Sequence, residues 1–229
     1  MEPSSAATCI LLTVSLFIFR SPPIIAQLTI ESVPINAVRG DDVLLRVLRN
    51  LPADPFTYYW YKGETADILS QITTYTVSTG ARTKGPAYNG RKTIYPNGSL
   101  LFQNVTLEEQ GPYTLQIINS DVQLETAIGQ IHVYELVTKP SIRASNILVK
   151  EHSGPMVMTC VTNHTDISIR WVFEGHSLQL TEGMTLSLNN SSLTINIIRR
   201  EDAGNYQCEV SNPVSSRKSD PFSLTVECE

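Results

Sequence analysis

Short stretches of alternating apolar and polar residues recur along the chain from residue 27 onward, and turn-forming residues separate them. In one stretch Val43, Leu45 and Val47 share one face of a strand, because successive side chains of a strand point to opposite sides. The same region shows no long apolar period of the kind that an amphipathic helix requires. Many short alternating strands without a helical period predict an all-β protein of the sandwich type.

Two segments carry nearly the same motif. Residues 202–208 (DAGNYQC) read acidic-x-Gly-x-Tyr-x-Cys, and residues 109–115 (EQGPYTL) repeat the pattern with leucine in the last position. This pattern is typical of strand F of an immunoglobulin-like sandwich, where the tyrosine makes a corner hydrogen bond and the cysteine bridges to strand B. The chain is therefore predicted to contain two tandem immunoglobulin-like β-sandwiches, of which the first lacks the inter-sheet disulfide.

The predicted domains occupy residues 27–134 and 140–227, and residues 135–139 form a short linker between them. Trp60 and Trp171 fit the buried tryptophan that strand C contributes to each sandwich. The length of 229 residues is sufficient for two ordinary domains of this kind.

The start of the chain and its charge indicate the compartment. An apolar run at residues 10–19, followed by the small residue Ala26, predicts a secretory signal peptide over residues 1–26. The run is shorter than the about 20 apolar residues that a bilayer span needs, and we expect no membrane insertion by the rest of the chain. A net charge of −5 argues against nucleic acid as a partner. We expect an extracellular, secreted protein; a truncated membrane protein displayed on the cell surface would give the same pattern.

The cysteines fit an exported chain. Cys160 and Cys208 are predicted to form the disulfide of the second domain. In the first domain, Leu45 or Val47 is expected to point inward where the strand B cysteine would lie. Cys228 remains outside this pairing, either as a free or capped thiol or as a bridge to another molecule.

Several N-glycosylation sequons follow the leader, and their number in an exported chain indicates glycans on exposed loops. The acceptor residues are Asn97, Asn104, Asn163, Asn189 and Asn190. The sequons of Asn189 and Asn190 overlap, so at most one of that pair is expected to be used.

Six segments together resemble the carcinoembryonic antigen-related cell adhesion molecules (the CEACAM family) and their relatives, the pregnancy-specific glycoproteins. These segments are 27–34 (QLTIESVP), 60–63 (WYKG), 85–91 (GPAYNGR), 94–101 (IYPNGSLL), 201–208 (EDAGNYQC) and 211–215 (SNPVS). The resemblance implies a variable-type first domain without a disulfide, followed by a disulfide-bonded domain of the C2 or I type. It also implies that the first domain binds itself or sister molecules through the sheet that contains strands G, F, C and C′.

The resemblance implies a set of partner-binding positions on that sheet. They are Phe56, Tyr61, Asp67, Gln71, Gln116 and Ile118. Alternation along the strands supports part of this set: with Trp60 inside, Tyr59 and Tyr61 face outward, and with Leu115 inside, Gln116 and Ile118 face outward. Strict alternation places Phe56 inside with Trp60, so a turn between strands B and C must break the alternation for Phe56 to be exposed.

Two further features carry competing interpretations. The resemblance implies a structural salt bridge between Arg91 and Glu109. Glutamate replaces the aspartate that is more usual at this position, and the extra methylene of glutamate loosens the bidentate contact between the arginine and the carboxylate. The tripeptide Arg39-Gly40-Asp41 matches an integrin-binding motif, but it also fits a polar turn in which glycine permits a positive φ.

No pattern in the sequence indicates an enzyme. The histidines are single and scattered, and no nucleophile elbow, phosphate-binding loop or metal-ligand spacing occurs. We therefore expect no catalytic residues, cofactor or metal site. Two functions remain open: adhesion or recognition through binding to itself or to CEACAM-like proteins, and a secreted modulator, similar to the pregnancy-specific glycoproteins, that binds integrins or other receptors. Heterologous receptors and microbial adhesins are further candidate partners.

Overall fold

The computed structural model describes residues 28–48 and 54–228. Over these residues the regular structure consists of β-strands and three single-turn 3₁₀ helices, Ile68–Ser70, Leu107–Glu109 and Arg200–Asp202. The leader expected over residues 1–26 lies outside the described part of the chain. None of the helices in that part is long and apolar enough to cross a bilayer.

The first domain contains ten strands over the described residues. They are β1 (Thr29–Val33), β2 (Asn36–Val38), β3 (Val43–Leu48), β4 (Pro55–Lys62), β5 (Gln71–Thr76), β6 (Ala81–Lys84), β7 (Lys92–Ile94), β8 (Leu100–Phe102), β9 (Gly111–Asn119) and β10 (Leu124–Tyr134). One sheet has the order β1-β3-β8-β7, and the other has the order β2-β10-β9-β4-β5-β6. Strands β4, β5, β9 and β10 correspond to the strands that immunoglobulin domains letter C, C′, F and G.

The core of the first domain is centred on Trp60, which is fully buried. Its indole N–H donates to the carbonyl of Gly98, with a nitrogen–oxygen distance of 2.7 Å, and so ties strand β4 to the β7–β8 turn. Gly98 has a φ of 83°, and a Cβ there would come within 2.9 Å of the Tyr58 ring. The turn therefore requires glycine for both its backbone conformation and its packing.

Aliphatic side chains replace the disulfide of the first domain. Leu115 lies opposite Trp60 in the β4–β9 pairing and is fully buried. Leu45 pairs with Leu100. Val47 lies two residues after Leu45 on the same face of the strand and packs against the core. Both residues predicted for this position thus face inward, with Leu45 deeper than Val47.

The second domain repeats the plan with its own ten strands. They are β11 (Ser141–Ala144), β12 (Leu148–Lys150), β13 (Met156–Val161), β14 (Ser168–Phe173), β15 (His176–Ser177), β16 (Met184–Leu186), β17 (Ser192–Ile195), β18 (Gly204–Asn212), β19 (Ser215–Lys218) and β20 (Phe222–Glu227). One sheet has the order β11-β13-β17-β16, and the other has the order β12-β20-β18-β14-β15, with β19 paired to β18. The predicted disulfide between Cys160 and Cys208 is confirmed, and Cys228 is an exposed free thiol.

The register shows which residues of the two domains correspond. Trp171 lies opposite Cys208, as Trp60 lies opposite Leu115, so Leu115 occupies the place of Cys208. Met158 pairs with Leu193 in the same way as Leu45 pairs with Leu100, so Met158 and Leu45 are equivalent positions. Cys160 lies two residues after Met158, and Val47 lies two residues after Leu45. Val47 therefore occupies the place of Cys160.

Both domains contain the predicted tyrosine corner. The Tyr113 hydroxyl donates to the carbonyl of Glu109 at 2.9 Å, and the Tyr206 hydroxyl donates to the carbonyl of Asp202 at 2.8 Å. Both tyrosines are buried, and burial raises the pKa of each phenol. The hydroxyls therefore remain protonated donors that hold the start of strand F.

The connection between the domains is bonded on both sides. Glu135 forms an ion pair with Arg39 of the first domain at 2.9 Å, and its carbonyl accepts from the Asn212 side chain of the second domain at 2.7 Å. The N–H of Val137, which is buried, donates to the Ser215 hydroxyl at 2.9 Å. These contacts limit the freedom of the segment that joins β10 to β11.

Candidate partner-binding face

The outward side chains of β4, β5, β9 and β10 form one surface, named here the GFCC′ face. Its members are Thr57, Tyr59 and Tyr61 on β4; Gln71, Thr74 and Thr76 on β5; Thr114, Gln116 and Ile118 on β9; and Leu124, Thr126 and Ile128 on β10. The strand pairings arrange them in rows, because Gln116 lies opposite both Tyr59 and Thr126. Four of the seven predicted partner-binding residues, Tyr59, Gln71, Gln116 and Ile118, lie on this face and are partly exposed.

Tyr59 and Gln116 form the central row of the face. Both are half-buried, yet neither the tyrosine hydroxyl nor the glutamine amide makes a hydrogen bond with any described residue. Gln71 differs, since its amide donates to the Thr74 hydroxyl at 2.7 Å. Half-buried polar groups without a protein partner retain their capacity to bond to solvent or to another molecule.

Tyr61 is oriented as predicted but is not an exposed anchor. Its side chain belongs to the outward set, yet the residue is only 8% exposed. It lies between Thr114 of β9 and Gln71 of β5, and the pairing with β5 shifts register between Trp60 and Tyr61. Burial and the neighbouring Tyr59 raise the pKa of the Tyr61 phenol. Tyr61 thus forms the floor of the face rather than its contact surface.

Phe56 departs from strict alternation, which placed it inside with Trp60. A β-bulge between Pro55 and Thr57 interrupts the pairing of β4 with β9. The bulge leaves Phe56 50% exposed. The alternation is broken within strand β4 itself, because a bulge adds one residue to one strand and re-aims its side chain.

Asp67 lies beside the face in the connection between β4 and β5. It precedes the 3₁₀ helix Ile68–Ser70, and its carbonyl accepts hydrogen bonds from the backbone and hydroxyl of Ser70. The carboxylate is exposed and forms no ion pair or hydrogen bond with a residue that the structure describes. It is therefore a charged group available at the edge of the GFCC′ face.

Several apolar residues of the surface were not singled out in the sequence. Leu124 lies opposite Ile118 and is 56% exposed, and Ile128 lies opposite Thr114. Val77 follows β5, and its N–H donates to the carbonyl of Phe56 at 3.0 Å, which places the two residues side by side. The alternation of Leu124, Thr126 and Ile128 along β10 was the signal that could have identified this strand.

None of the sequons lies on the GFCC′ face. Asn97 occupies the turn between β7 and β8 of the four-stranded sheet, and Asn104 lies in the connection from β8 to β9. Asn163, Asn189 and Asn190 lie in loops of the second domain, and all five acceptor residues are exposed.

Arg91 and Glu109 form an ion pair at 2.7 Å, away from the face. The arginine reaches only Oε1 of the carboxylate, which also accepts from Asn89, whereas Oε2 accepts from the backbone and hydroxyl of Thr106. Burial acts to raise the pKa of Glu109, but the Thr106 hydrogen bonds and the charges of Arg91 and Lys92 outweigh it and leave the pKa below its usual value. The contacts of this pair are structural.

The Arg39-Gly40-Asp41 turn is engaged in internal contacts. Arg39 pairs with Glu135, and the Asp41 carboxylate accepts the backbone N–H of Val38 at 2.9 Å. Gly40 has a φ of 101° and donates to a backbone carbonyl. These contacts match the polar-turn interpretation and leave neither charged group of the tripeptide without an internal partner.

Sequence comparisons agree with this architecture. A family model described as "Immunoglobulin V-set domain" matches residues 30–134, and one described as "Immunoglobulin domain" matches residues 139–212. The chain is 47% identical over 200 residues to mouse Pregnancy-specific glycoprotein 22, and 45% identical over 200 residues to the mouse Cell adhesion molecule CEACAM5. Each alignment covers 87% of this chain but only 42% and 21% of these longer relatives, respectively.

Solved structures give the same result in three dimensions. The crystal structure of murine CEACAM1b has a TM-score of 0.81 and 43% identity, covering 88% of this chain and 100% of that one. The murine receptor complexed with a mouse coronavirus receptor-binding domain has a TM-score of 0.79 and 43% identity, and the alignment again covers 88% of this chain and 100% of that one. The fold and the sequence matches place both domains of this chain in the immunoglobulin superfamily. Within that superfamily, the chain belongs to the CEACAM and pregnancy-specific glycoprotein family, whose members are adhesion and recognition proteins rather than enzymes.

Proposed function

We propose that this protein is an extracellular recognition glycoprotein whose first domain binds a second copy of itself, or a related family member, through the GFCC′ face. The observation that carries the proposal is the central row of Tyr59 and Gln116, whose polar groups are half-buried and hydrogen-bonded to no described residue. Each such group gains about 1 kcal/mol when a partner completes its hydrogen bond.

The apolar residues around this row supply the rest of the interface. Phe56, Leu124 and Ile128 are each about half exposed, and Ile118 lies between Thr57 and Leu124. Apolar side chains removed from water contribute about 25 cal/mol per Å² of buried area. Aromatic and aliphatic anchors around a few polar groups are the usual composition of an interface core.

The distribution of sequons supports the same face. Asn97 lies in the turn between two strands of the four-stranded sheet and Asn104 in the connection from β8 to β9, so glycans on both would be attached outside the strands of the GFCC′ face. A bulky, hydrated oligosaccharide excludes protein contact where it is attached. The strands of the GFCC′ face thus carry no attachment site for the sugars of the first domain.

Heterologous partners are part of the proposal. The similar murine receptor is complexed with a coronavirus receptor-binding domain, which supports binding of receptors or microbial adhesins by a domain of this kind. The identity to Pregnancy-specific glycoprotein 22 favours a second function, that of a secreted modulator of other receptors. Arg39 and Asp41 already have internal partners, so such a modulator would give up the Arg39–Glu135 ion pair and the Asp41 hydrogen bond to bind integrins through this tripeptide.

Sedimentation velocity over micromolar concentrations tests the proposal on the glycosylated chain carrying Cys228→Ser, which removes the exposed thiol. We expect a concentration-dependent dimer that Ile118→Arg abolishes. Thr93→Arg, which introduces the same charge at an exposed position of the four-stranded sheet, is the matched control and should leave the dimer intact. A monomer at all concentrations, or equal loss in both variants, would contradict self-association through this face.

A further inference from the structure

A cleft of about 510 Å³ lies where the two domains meet. The first domain contributes Leu107, Gln110 and Tyr134 to its lining, and the second domain contributes the loop around Asn163. The volume falls within the range of about 300–1,000 Å³ that is typical of small-molecule sites. The cleft therefore has room for a compact polar ligand between the domains.

The acceptor residue of one sequon opens into this cleft. Asn163 and Thr165, the first and third residues of the sequon, both line it, and both are exposed. Neither side chain makes a hydrogen bond with a described residue, so the amide nitrogen that would carry an oligosaccharide is not engaged elsewhere. A sugar on Asn163 begins inside the cleft because the attachment point is part of its wall.

We propose that the first N-acetylglucosamine of a glycan on Asn163 is seated in this cleft and braces the first domain against the second. The sugar presents both hydrogen-bonding groups and an apolar ring face. Gln110 of the first domain has a side-chain amide without a described partner, and Asp166 offers an exposed carboxylate. Leu107 is 51% exposed and provides an apolar contact.

The loop that carries the sugar is itself fixed to the linker. The backbone N–H of Thr138 donates to Nε2 of His164 at 3.0 Å, and the Thr138 hydroxyl lies 3.1 Å from the same nitrogen. His164 is the middle residue of the sequon, so Asn163 is held close to the linker. A sugar that also contacts the 3₁₀ helix Leu107–Glu109 completes a bridge from the second domain to the first.

The test compares Thr165→Ala, which removes the sequon but keeps Asn163, with Thr165→Ser, which preserves the sequon. Mass spectrometry measures the occupancy of Asn163 in each secreted protein, and amide hydrogen exchange measures local opening of residues 135–139 and 107–110. Asn97→Gln removes a sequon outside the cleft and serves as the control. Amidase removal of the glycans from the folded protein gives a second sugar-free state, which carries aspartate at residue 163, and Asn163→Asp is the control for that charge.

We expect Asn163 to be occupied and exchange in both segments to rise at least about fivefold when its sugar is lost, in line with typical coupling between sites. Thr165→Ser and Asn97→Gln should leave exchange unchanged. Trimming of the glycan to a single N-acetylglucosamine should also leave it unchanged, since the first sugar makes the contacts. An unoccupied Asn163, unchanged exchange after complete removal, or a full increase after trimming would each overturn the proposal.

Discussion

The two domains place different side chains at equivalent points of one sheet. In each domain the residue before the buried tryptophan faces outward. In the first domain this residue is Tyr59, which lies opposite Gln116. In the second domain it is Arg170, which lies opposite Glu209. Arg170 donates to Glu209 through both Nε and Nη2, and the Ser216 hydroxyl donates to the other carboxylate oxygen at 2.7 Å. These bonds from Arg170 and Ser216 hold the pKa of Glu209 below its usual value.

The difference shows how one fold supports two kinds of surface. In the second domain the polar groups of this row satisfy each other, so the sheet is complete in water. In the first domain Tyr59 and Gln116 have no such partner among the described residues, and apolar neighbours surround them. The backbone pairing is the same, and the side chains at two positions decide whether the polar groups of the row are paired within the domain.

The interiors differ as well. The second domain is closed by the Cys160–Cys208 disulfide, whereas Val47 and Leu115 take these places in the first. Each domain also has a buried corner carboxylate, Glu109 in the first and Asp202 in the second, but among the described residues only Glu109 has cations beside it from the neighbouring strand. Glu109 has the cations Arg91 and Lys92 beside it. Lys92 pairs with Phe102 in the same way as Met184 pairs with Ile195, so the equivalent residues of the second domain are the uncharged Gly183 and Met184.

The largest expected effect comes from removing the disulfide. Cys160→Ala/Cys208→Ala should destabilise the second domain by about 4 kcal/mol, since a bridge across this span constrains the unfolded chain. The first domain should be unaffected. Each domain has one tryptophan, Trp60 or Trp171, so denaturation followed by fluorescence in single-tryptophan variants reports each domain separately. An equal shift of both transitions would contradict independent closure of the two sandwiches.

A smaller effect is expected from the two acidic corner residues. Glu109→Gln should cost about 3 kcal/mol in the first domain, because it leaves buried Lys92 and half-buried Arg91 without their carboxylate. Asp202→Asn should cost less than about 1 kcal/mol, since no cation lies at the equivalent place and one backbone hydrogen bond is at stake. The same fluorescence assay measures both, and a larger loss from Asp202→Asn would invert the comparison.

Acid should act in opposite directions through the two corner carboxyls, Glu109 and Asp202. The pKa of Glu109 lies below its ordinary value of 4.5, so its stabilisation is present above pH 4.5 and is lost as the pH falls through the folded value. Burial raises the pKa of Asp202 above its ordinary value of 3.8, with Glu201 adding to the shift, so protonation on the way down to pH 3.8 favours the folded second domain.

Denaturant midpoints measured between pH 7 and pH 3.8 check this prediction, and Glu109→Gln should flatten the response of the first domain. Asp202→Asn should remove the opposite contribution in the second domain, and a variant whose curve parallels that of the wild type would show that its carboxyl does not control the acid response.

The smallest effect concerns the tyrosine hydroxyls. Tyr113→Phe should cost about 1 kcal/mol, because the bond to the carbonyl of Glu109 is lost. Tyr61→Phe should change the free energy of unfolding by less than about 0.5 kcal/mol, as its hydroxyl has no described partner. Thermal unfolding resolves the two, and a cost for Tyr61→Phe equal to that for Tyr113→Phe would show a hidden internal contact.

The sequence was sufficient for what depends on local alternation and short motifs. The tyrosine corners and the two strand C tryptophans follow from motifs within a single strand, and the disulfide follows from a cysteine in the strand F motif and a second one on strand B. The outward direction of Tyr59, Gln116 and Ile118 follows from alternation next to a buried residue.

What the sequence could not provide depends on cross-strand register. The exposure of Phe56 requires a bulge that only the β4–β9 pairing reveals. The burial of Tyr61 results from residues on β5 and β9 that are distant in the chain. Likewise, Val77 and Phe56 become neighbours through one backbone hydrogen bond between separate segments.

An exchange of the central row tests most directly whether the GFCC′ face binds a partner. Tyr59→Arg/Gln116→Glu installs the ion pair of the second domain in the first, and it should preserve the fold because the second domain carries this pair at the same register. In sedimentation velocity, we expect the wild-type dimer to be lost in this variant and kept in the control Arg170→Ala/Glu209→Ala. A dimer of unchanged affinity in a folded Tyr59→Arg/Gln116→Glu protein would contradict the account.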